Sequence, residues 1–237
     1  MNKKNTTNLD DDEEGNAVGT LGYFTKENIS YEITVPIDEE IKGQSYYRQV
    51  AQRISELSST DSVKFEISSP GGNLDGLFTI LSALEKTEAT TAAILNGKVH
   101  SAASILALNC DMVFVSENAY MMIHSVSFGS AGKMHDVSSH VDFMKKQSKK
   151  LVDSTYEGFL SHEEIADVHK GIEIWLDSDE IIVRLATRQK YFEDLTADDT
   201  EEEADKAGLA PDTNNSTFKS DKVELFADTD EEYVVPN

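Results

Sequence analysis

Residues 63–86 read VKFEISSPGGNLDGLFTILSALEK and join a strand, a glycine turn and a helix. The first five residues alternate apolar and polar side chains, as in a β-strand with one buried face, before a proline and two glycines end the strand. Residues 75–86 have the apolar spacing of a helix, which Asp75 is placed to cap. The apolar TTAAIL at 90–95 follows as a buried parallel strand would, so this stretch predicts a β-α-β unit.

The same alternation of strands and helices continues on both sides of this unit. Upstream, ISYEITVPI at 29–37 is typical of a strand, and the spacing over 46–57 predicts a helix. Downstream, AASILAL at 102–108 predicts a helix, and MVFVS at 112–116 and AYMMIH at 119–124 predict two strands. Because repeated β-α units bring strands side by side in one direction, we predict an α/β fold with a mostly parallel sheet.

A long amphipathic helix is predicted after the last of these strands. Its apolar and small residues recur on one face, at Val137, Val141, Met144, Ser148, Leu151, Val152, Thr155 and Phe159. This stripe requires a cover, which is either the protein's own sheet or another subunit. A shorter helical pattern, HEEIADVHKG, ends at Gly171, a residue type that commonly follows a helix C-terminus.

Composition restricts the domain organisation and the partners. The chain has 21 Lys and Arg residues against 44 Asp and Glu residues, for a formal charge of −23. Nucleic acid is not expected as a partner, because phosphate binding relies on clustered Lys and Arg. Since runs of acids repel one another and stay solvated, we expect an acidic flexible segment at 1–28, one domain at 29–190 and an acidic extension at 191–237.

The remaining sequence features bear on compartment and cofactors. The single cysteine, Cys110, lies in an apolar run and is expected to be a buried structural thiol in a reducing compartment. No apolar stretch approaches the roughly 18 residues of a membrane span. Neither a zinc motif nor a GxxxxGK[ST] phosphate loop occurs. We therefore expect a cytoplasmic protein that does not enter a membrane and uses no metal or other cofactor.

Three segments carry residues that suit one reaction. SSPGG at 68–72 follows a strand, and its glycines let backbone N–H groups turn toward a ligand, as in an oxyanion hole. Ser101 lies between a strand and a helix, where it is either a nucleophile or the N-cap of the helix. Ser104, one helical turn later, is interpreted as a packing or capping residue. His124 ends an apolar strand and is either a general base or a structural histidine.

The order of these motifs resembles that of a known family. SSPGG, then GKVHS at 97–101 before a helix of small residues, then MIH at 122–124 are similar to the ClpP family of proteolytic subunits, particularly its diverged bacteriophage versions. The resemblance covers residues 29–185 and implies a ClpP/crotonase-like fold with a long handle helix. It also implies a serine endopeptidase in which Ser101 is the nucleophile and His124 is the general base.

The same resemblance implies further roles. The backbone N–H groups of Gly72 and Ala102 correspond to oxyanion donors, and residues 125–132 correspond to a strand and handle region that holds substrate and joins two rings. Substrate binding is expected from Gly71, Ser125, Val126 and Ser127. The implied partners are a protein or peptide substrate, further copies of the chain in a heptameric ring or stacked rings, and an ATP-dependent unfoldase. A phage-type relative could instead process capsid or other viral proteins.

The acid of a catalytic triad is where the chain departs from the family pattern. The family has an Asp shortly before a Phe-Leu segment, and GIEIWLDS at 171–178 aligns Glu173 with that Asp. The alternatives are that no acid serves, or that one of four others does: Asp177, Asp179, Glu193 or Asp194. His100 stands where the family more often has alanine, and its role is open.

Two other functions fit the same residues. Crotonase-like proteins share the fold and bind acyl-CoA thioesters, but the pair Ser101 and His124 argues against that interpretation. An inactive, ring-forming scaffold fits the substituted acid, the unusual His100 and the acidic tails.

Overall fold

The structure is a computed structural model that describes residues 29–207 and 233–236. The predicted acidic segment at 1–28 and most of the predicted extension at 191–237 lie outside the described residues. The strands are β1 Glu32–Ile37, β2 Ser62–Ser69, β3 Thr90–His100, β4 Met112–Val115, β5 Tyr120–Ile123, β6 Ile174–Leu176 and β7 Tyr233–Pro236. The helices are α1 Gln44–Ser55, α2 Leu74–Leu84, α3 Ala102–Leu108, α4 Met134–Tyr156, α5 His162–His169 and α6 Ser178–Ala207.

The long strand β3 is the centre of the sheet. Its first half pairs with β2 on one side and β4 on the other, and its last three residues pair with β5. These pairs and the pair of β1 with β2 are parallel, whereas β6 joins β5 and β7 joins β4 in antiparallel orientation. The predicted α/β fold with a mostly parallel sheet is confirmed. The sequence does not predict β6, because three residues are too few to show an alternating pattern.

The hydrophobic core lies between the sheet and the helices. Val63, Phe65 and Ile67 of β2 have no exposed surface, and all seven residues of α3 are buried. A helix that is apolar on every side can only be accommodated inside a protein, which explains the run AASILAL. Each large apolar side chain buried in this way stabilises the fold by about 1.5–3 kcal/mol.

Helix α2 is capped by Asn73 and not by Asp75. The helix begins at Leu74, one residue earlier than predicted, and Asn73 Oδ1 accepts a hydrogen bond of 3.0 Å from the Gly76 N–H. This bond satisfies one of the donors that the first turn of a helix leaves free. The prediction that Asp75 caps the helix is therefore wrong. Asp75 lies in the first turn, where its negative charge suits the helix dipole.

Helix α4 carries the predicted apolar stripe, which is fully buried only near its C-terminal end. Val152, Thr155 and Tyr156 are buried, whereas the stripe residues of the first half are half-buried. Met134 and Phe143, also in the first half, are 89% and 58% exposed. In a single copy of the chain, this half of α4 leaves apolar surface in contact with solvent.

Helix α6 and strand β7 extend the ordered part of the chain beyond the predicted domain. The helix has 30 residues and crosses the predicted boundary after residue 190 without a break. Residues 233–236 return to the sheet edge as β7, a position that a solvated acidic extension does not predict. Within the described ranges, no helix combines the length and the apolar character needed to cross a bilayer.

An ion pair joins α5 to α6. Ser161 and Glu164 form a capping box at the start of α5, which fixes the Glu164 side chain. Its two carboxylate oxygens accept hydrogen bonds of 2.7 and 2.8 Å from the Arg184 guanidinium of α6. These bonds lower the pKa of Glu164 from an ordinary 4.5 to about 2. The pair therefore stabilises the fold while Glu164 is ionised.

We predict that Glu164→Gln lowers the free energy of unfolding at pH 7 by about 1 kcal/mol, because one partner of a half-buried, bidentate pair loses its charge. A carboxyl group whose pKa is lower in the folded than in the unfolded protein stabilises the fold fully at pH values above its unfolded pKa. The difference in the free energy of unfolding between the wild type and Glu164→Gln should thus decrease as the pH falls from 4.5 toward 2. Urea unfolding across this range measures it, with the exposed neighbour Glu163→Gln as control. A difference that does not vary with pH would contradict the prediction.

Candidate active site

Ser101 and His124 are brought together by the pairing of β3 with β5. Ser101 directly follows β3, and its backbone N–H donates to the Met122 carbonyl of β5 at 2.8 Å. His124 directly follows β5 and is two residues after Met122, a spacing that puts both side chains on one side of a strand. The Ser101 Oγ lies 2.7 Å from the His124 Nε2, and both side chains are partly exposed. A hydroxyl and an imidazole at this distance can exchange a proton.

The backbone of Ser101 turns the hydroxyl toward His124. Its φ of +55° and ψ of −123° lie in a region that residues with a side chain rarely adopt, at a cost of about 1–3 kcal/mol. Ser101 stands at the N-cap position of α3, but its side chain makes no capping hydrogen bond. The hydroxyl bonds to His124 instead, so Ser101 occupies the N-cap position but its side chain does not cap the helix.

The glycine turn after β2 packs directly against Ser101. Gly71 and Gly72 have φ values of +86° and +146°, which favour glycine. A Cβ on Gly71 would lie 2.5 Å from the His100 carbonyl oxygen and 2.9 Å from the Ser101 Cβ. Within the described residues, neither the Gly72 N–H nor the Ala102 N–H donates to a protein acceptor. Gly72 follows the glycine that packs against Ser101, and Ala102 follows Ser101 in the chain.

An irregularity in the pairing of β2 with β3 brings the glycine turn to this place. Ile67 pairs with Leu95, but Ser69 pairs with Val99, so a two-residue step along β2 matches a four-residue step along β3. Bulges of this kind bend a strand and re-aim the residues after it. The turn that follows β2 therefore lies beside the end of β3, where Ser101 is.

Glu173 lies opposite His124, but its carboxylate does not contact the imidazole. Ile174 pairs with Ile123 in the antiparallel ladder of β6 and β5, so the next residue pair in register is Glu173 and His124. The Glu173 carboxylate accepts a hydrogen bond of 3.1 Å from the Trp175 Nε1 and is exposed. Among the described residues, the His124 Nδ1 has no hydrogen-bond partner.

The alternative acids occupy other places. Asp177 caps α6 by accepting from the Glu180 N–H at 2.9 Å, and Asp179 lies in the first turn of that helix. Glu193 accepts from the Gln189 side chain along α6 at 2.9 Å, and Asp194 is an exposed residue of the same helix. The structure brings none of the four into contact with His124.

The predicted substrate-binding segment has no regular structure. Ser125 and Val126 are half-buried and Ser127 is exposed, and residues 124–131 form neither a strand nor a helix. The Val126 N–H donates to the Ser148 hydroxyl of α4 at 3.3 Å. The resemblance implies a strand here, and the structure has an irregular connection instead.

His100 belongs to an aromatic cluster beside Ser101. Its ring packs edge to face against Tyr120 and Trp175, each with a centroid distance of 5.2 Å. Its Nε2 is buried and has no hydrogen-bond partner in the described part of the chain. Burial lowers the pKa of His100, and the nearby Lys98 charge lowers it further. His100 is therefore a neutral, structural neighbour of the site.

A buried contact that the sequence does not predict reaches Ser101 from α4. The Ser104 hydroxyl bonds both to the Ser101 carbonyl and to the Tyr156 hydroxyl, at 2.7 Å in each case. Ser104 is thus a buried residue within α3 whose hydroxyl bonds back to the preceding turn, which fits the packing role interpreted from sequence and not the capping role. Tyr156 is 52 residues away from Ser104, and no local pattern indicates their contact.

Cys110 and the remaining histidines lie apart from this site. Cys110 is buried, as predicted, and burial raises the pKa of its thiol, which makes it unsuited to act as a nucleophile. His140 contacts Ser130, and His169 contacts Asp153. In the described ranges, no cluster of three or more His, Cys, Asp or Glu side chains could hold a metal ion.

Comparison with known proteins supports the family resemblance. The chain matches two curated proteolytic subunits of ATP-dependent Clp proteases. It is 30% identical to subunit 2 of Treponema denticola over 152 residues, which are 63% of this chain and 70% of that protein. It is 24% identical to subunit 1 of Chlamydia muridarum over 122 residues, which are 50% of this chain and 64% of that protein.

The family model described as Clp protease matches residues 21–182, a range that includes every segment of the site. Ser101 and His124, the glycine turn and the β5–β6 ladder all fall inside this range. Since the match covers more than half of the sequence and agrees with the α/β fold, the chain belongs to the Clp protease family.

Proposed function

We propose that the protein is a serine endopeptidase in which Ser101 forms an acyl-enzyme and His124 is the general base. The observation that carries this proposal is the distance of 2.7 Å between the Ser101 Oγ and the His124 Nε2. A serine hydroxyl is a weak nucleophile until a base accepts its proton, and an imidazole in hydrogen-bond contact is such a base. Membership of the Clp protease family supports the same reaction class.

Each residue then has a defined part in the reaction. The Ser101 Oγ attacks the carbonyl carbon of the scissile peptide while its proton passes to the His124 Nε2. The carbonyl oxygen becomes an oxyanion that the N–H groups of Gly72 and Ala102 stabilise. Collapse of this intermediate breaks the C–N bond, and the His124 imidazolium protonates the leaving amine. Water repeats the sequence on the ester, which releases the acid and restores Ser101.

Labelling of Ser101 tests this proposal. A fluorophosphonate should add one phosphonyl group to the full chain at neutral pH, and peptide mapping should place it on Ser101. Ser101→Ala should abolish the adduct and lower peptide hydrolysis by at least about 10³-fold, since the nucleophile is lost. Ser154→Ala, an exposed serine of α4, is the matched control and should leave both unchanged. Hydrolysis that survives in Ser101→Ala would overturn the proposal.

Glu173 is the acid that we propose for orienting His124. Its backbone lies opposite His124 in the β5–β6 register, and rotation of its side chain away from the Trp175 indole would carry the carboxylate toward the His124 Nδ1. A carboxylate there fixes the tautomer that leaves Nε2 free to accept a proton. The imidazolium formed during the reaction is stabilised by the same negative charge.

We predict that Glu173→Gln lowers the rate of Ser101 acylation by about 10²–10⁴-fold, because an amide does not stabilise the imidazolium. The thermal unfolding midpoint should change little, since Glu173 is exposed. Asp177→Asn is the matched control: it removes a nearby carboxylate, keeps an oxygen that can cap α6, and should leave the acylation rate unchanged. A Glu173→Gln variant as reactive as wild type would show that His124 acts without this acid.

An inactive scaffold is the second candidate function, and the orientation of Glu173 favours it. With the carboxylate bonded to Trp175, the pair of Ser101 and His124 lacks a third member. A scaffold would fold and assemble but gain no adduct from the fluorophosphonate. The intact mass of the wild-type protein after treatment therefore separates the two functions.

We also propose that the protein assembles with copies of itself in the cytoplasm, as a heptameric ring or stacked rings. The exposed apolar residues Met134 and Phe143 in the first half of α4 support burial between subunits. Both curated relatives are named as subunits of ATP-dependent proteases, which supports an ATP-driven unfoldase as a further partner. The natural substrate is a protein or peptide, and processing of viral proteins is one such role.

Phe143→Asp should weaken this assembly, because it places a charge on an apolar surface that subunits bury. Native mass spectrometry should give a multiple of 26.2 kDa for the wild type and mainly smaller species for the variant. Gln52→Glu adds one charge at an exposed position of α1, outside α4, and should keep the wild-type mass. A wild-type chain that is monomeric at micromolar concentration would contradict the proposed ring.

A further inference from the structure

Two buried hydroxyl groups connect the end of α4 to the backbone of Ser101. Tyr156 is the last residue of α4 and is 1% exposed, and Ser104 lies inside α3 with no exposed surface. Their hydroxyl oxygens are 2.7 Å apart, and the Ser104 Oγ is also 2.7 Å from the Ser101 carbonyl oxygen. Buried polar groups are costly unless they are hydrogen-bonded, so this pair is a specific feature of the core.

The number of protons fixes the direction of both bonds. A carbonyl oxygen only accepts, so the single Ser104 proton is donated to the Ser101 carbonyl. The Tyr156 hydroxyl must therefore donate to the Ser104 Oγ. Burial raises the pKa of Tyr156, which keeps this hydroxyl protonated throughout the neutral range. The result is one continuous chain of donors from Tyr156 through Ser104 to Ser101.

The carbonyl at the end of this chain belongs to the residue with the strained backbone. Ser101 has a φ of +55°, and a strained conformation persists only where its surroundings hold it. Its N–H donates to the Met122 carbonyl at 2.8 Å. Its carbonyl accepts the backbone N–H groups of Ser104 and Ile105 at 2.9 and 3.3 Å, and the Ser104 hydroxyl makes the shortest of its three bonds, at 2.7 Å.

The other end of α3 is fixed from the same direction. Arg188 of α6 is buried and donates to the carbonyl of Leu108, the last residue of α3, at 3.0 Å. This bond satisfies a carbonyl that the helix end leaves free. Buried side chains of α4 and α6 are thus linked by hydrogen bonds to the first and the last turn of α3.

We infer that Tyr156 is a positioning residue for the proposed reaction: through Ser104, its hydroxyl holds the Ser101 backbone in the conformation that directs the nucleophile at His124. This inference rests on the proposed function and extends it to two buried residues that no substrate can touch. Small displacements of a nucleophile slow catalysis strongly, since the attack requires a narrow range of distances and angles.

Three variants of the full chain test the inference. Tyr156→Phe removes only the hydroxyl at the start of the chain, and Ser104→Ala removes its middle member. The third is the double variant. Tyr191→Phe is the matched control, because it removes a tyrosine hydroxyl that bonds to Glu157, the next residue after Tyr156, without reaching Ser101. Each substitution removes one hydroxyl oxygen and keeps every carbon atom of the side chain, so the core packing is preserved.

The measurement is the acylation rate per active site, after titration of the sites with the fluorophosphonate. Tyr156→Phe and Ser104→Ala should each lower this rate about tenfold at unchanged KM, while Tyr191→Phe keeps it. The double variant should be no slower than Ser104→Ala, because Tyr156 acts only through Ser104. A purely structural role would lower the fraction of titratable sites and leave the rate per site unchanged.

Rates per site within twofold of wild type for both single variants would overturn the inference, as would additive losses in the double variant.

A wild-type chain that gains no adduct at Ser101 would refute the proposed function, and a second readout then decides the inference. In the Ser101→Cys background, Tyr156→Phe should slow alkylation of the new thiol by iodoacetamide several-fold. The native Cys110 is 2% exposed and gives little background. Equal alkylation rates would exclude the positioning role.

Discussion

The chain has to pass from the end of β3 into the start of α3 at a single residue, Ser101, and the rest of the site depends on how that turn is held. A φ of +55° at a serine is unfavourable by about 1–3 kcal/mol, so the neighbours must supply compensating bonds. The Met122 carbonyl accepts the Ser101 N–H, and Ser104 donates to the Ser101 carbonyl. Because the first of these bonds is made to β5, the strand that His124 directly follows, it also holds the hydroxyl near the imidazole.

The glycine turn after β2 packs against the turn at Ser101. Gly71 approaches the His100 carbonyl and the Ser101 Cβ so closely that no side chain fits between them. This approach is possible because the irregular pairing of β2 with β3 brings the end of β2 beside the end of β3. Gly72, the next residue, and Ala102 are the two residues whose N–H groups we propose as oxyanion donors. A single sheet thus brings together the separate segments of the proposed site.

Apolar spacing along the sequence predicted the helices and strands whose buried side chains lie within one short segment. The run AASILAL predicts a helix over 102–108, and the structure has α3 at these residues, because an apolar segment after a strand end has to be buried as a compact element. The alternation in VKFEI predicts β2 for the same kind of reason. The cap of α2 was misassigned by two residues, since Asn73 and Asp75 both suit the N-terminus and only the backbone geometry selects between them.

The sequence by itself determined the α/β fold, because the alternation of strands and helices is set by local apolar spacing. The meeting of Ser101 and His124 was implied only by the resemblance of the motif order to the ClpP family, and the pairing of β3 with β5 produces it. Tertiary structure alone decided the antiparallel strand β6, which puts Glu173 opposite His124 and leaves its carboxylate on the Trp175 indole. It also decided the contact between Ser104 and Tyr156, which are 52 residues apart. Hydrogen bonds between such distant side chains depend on how whole elements pack, and no periodicity in the sequence records that packing.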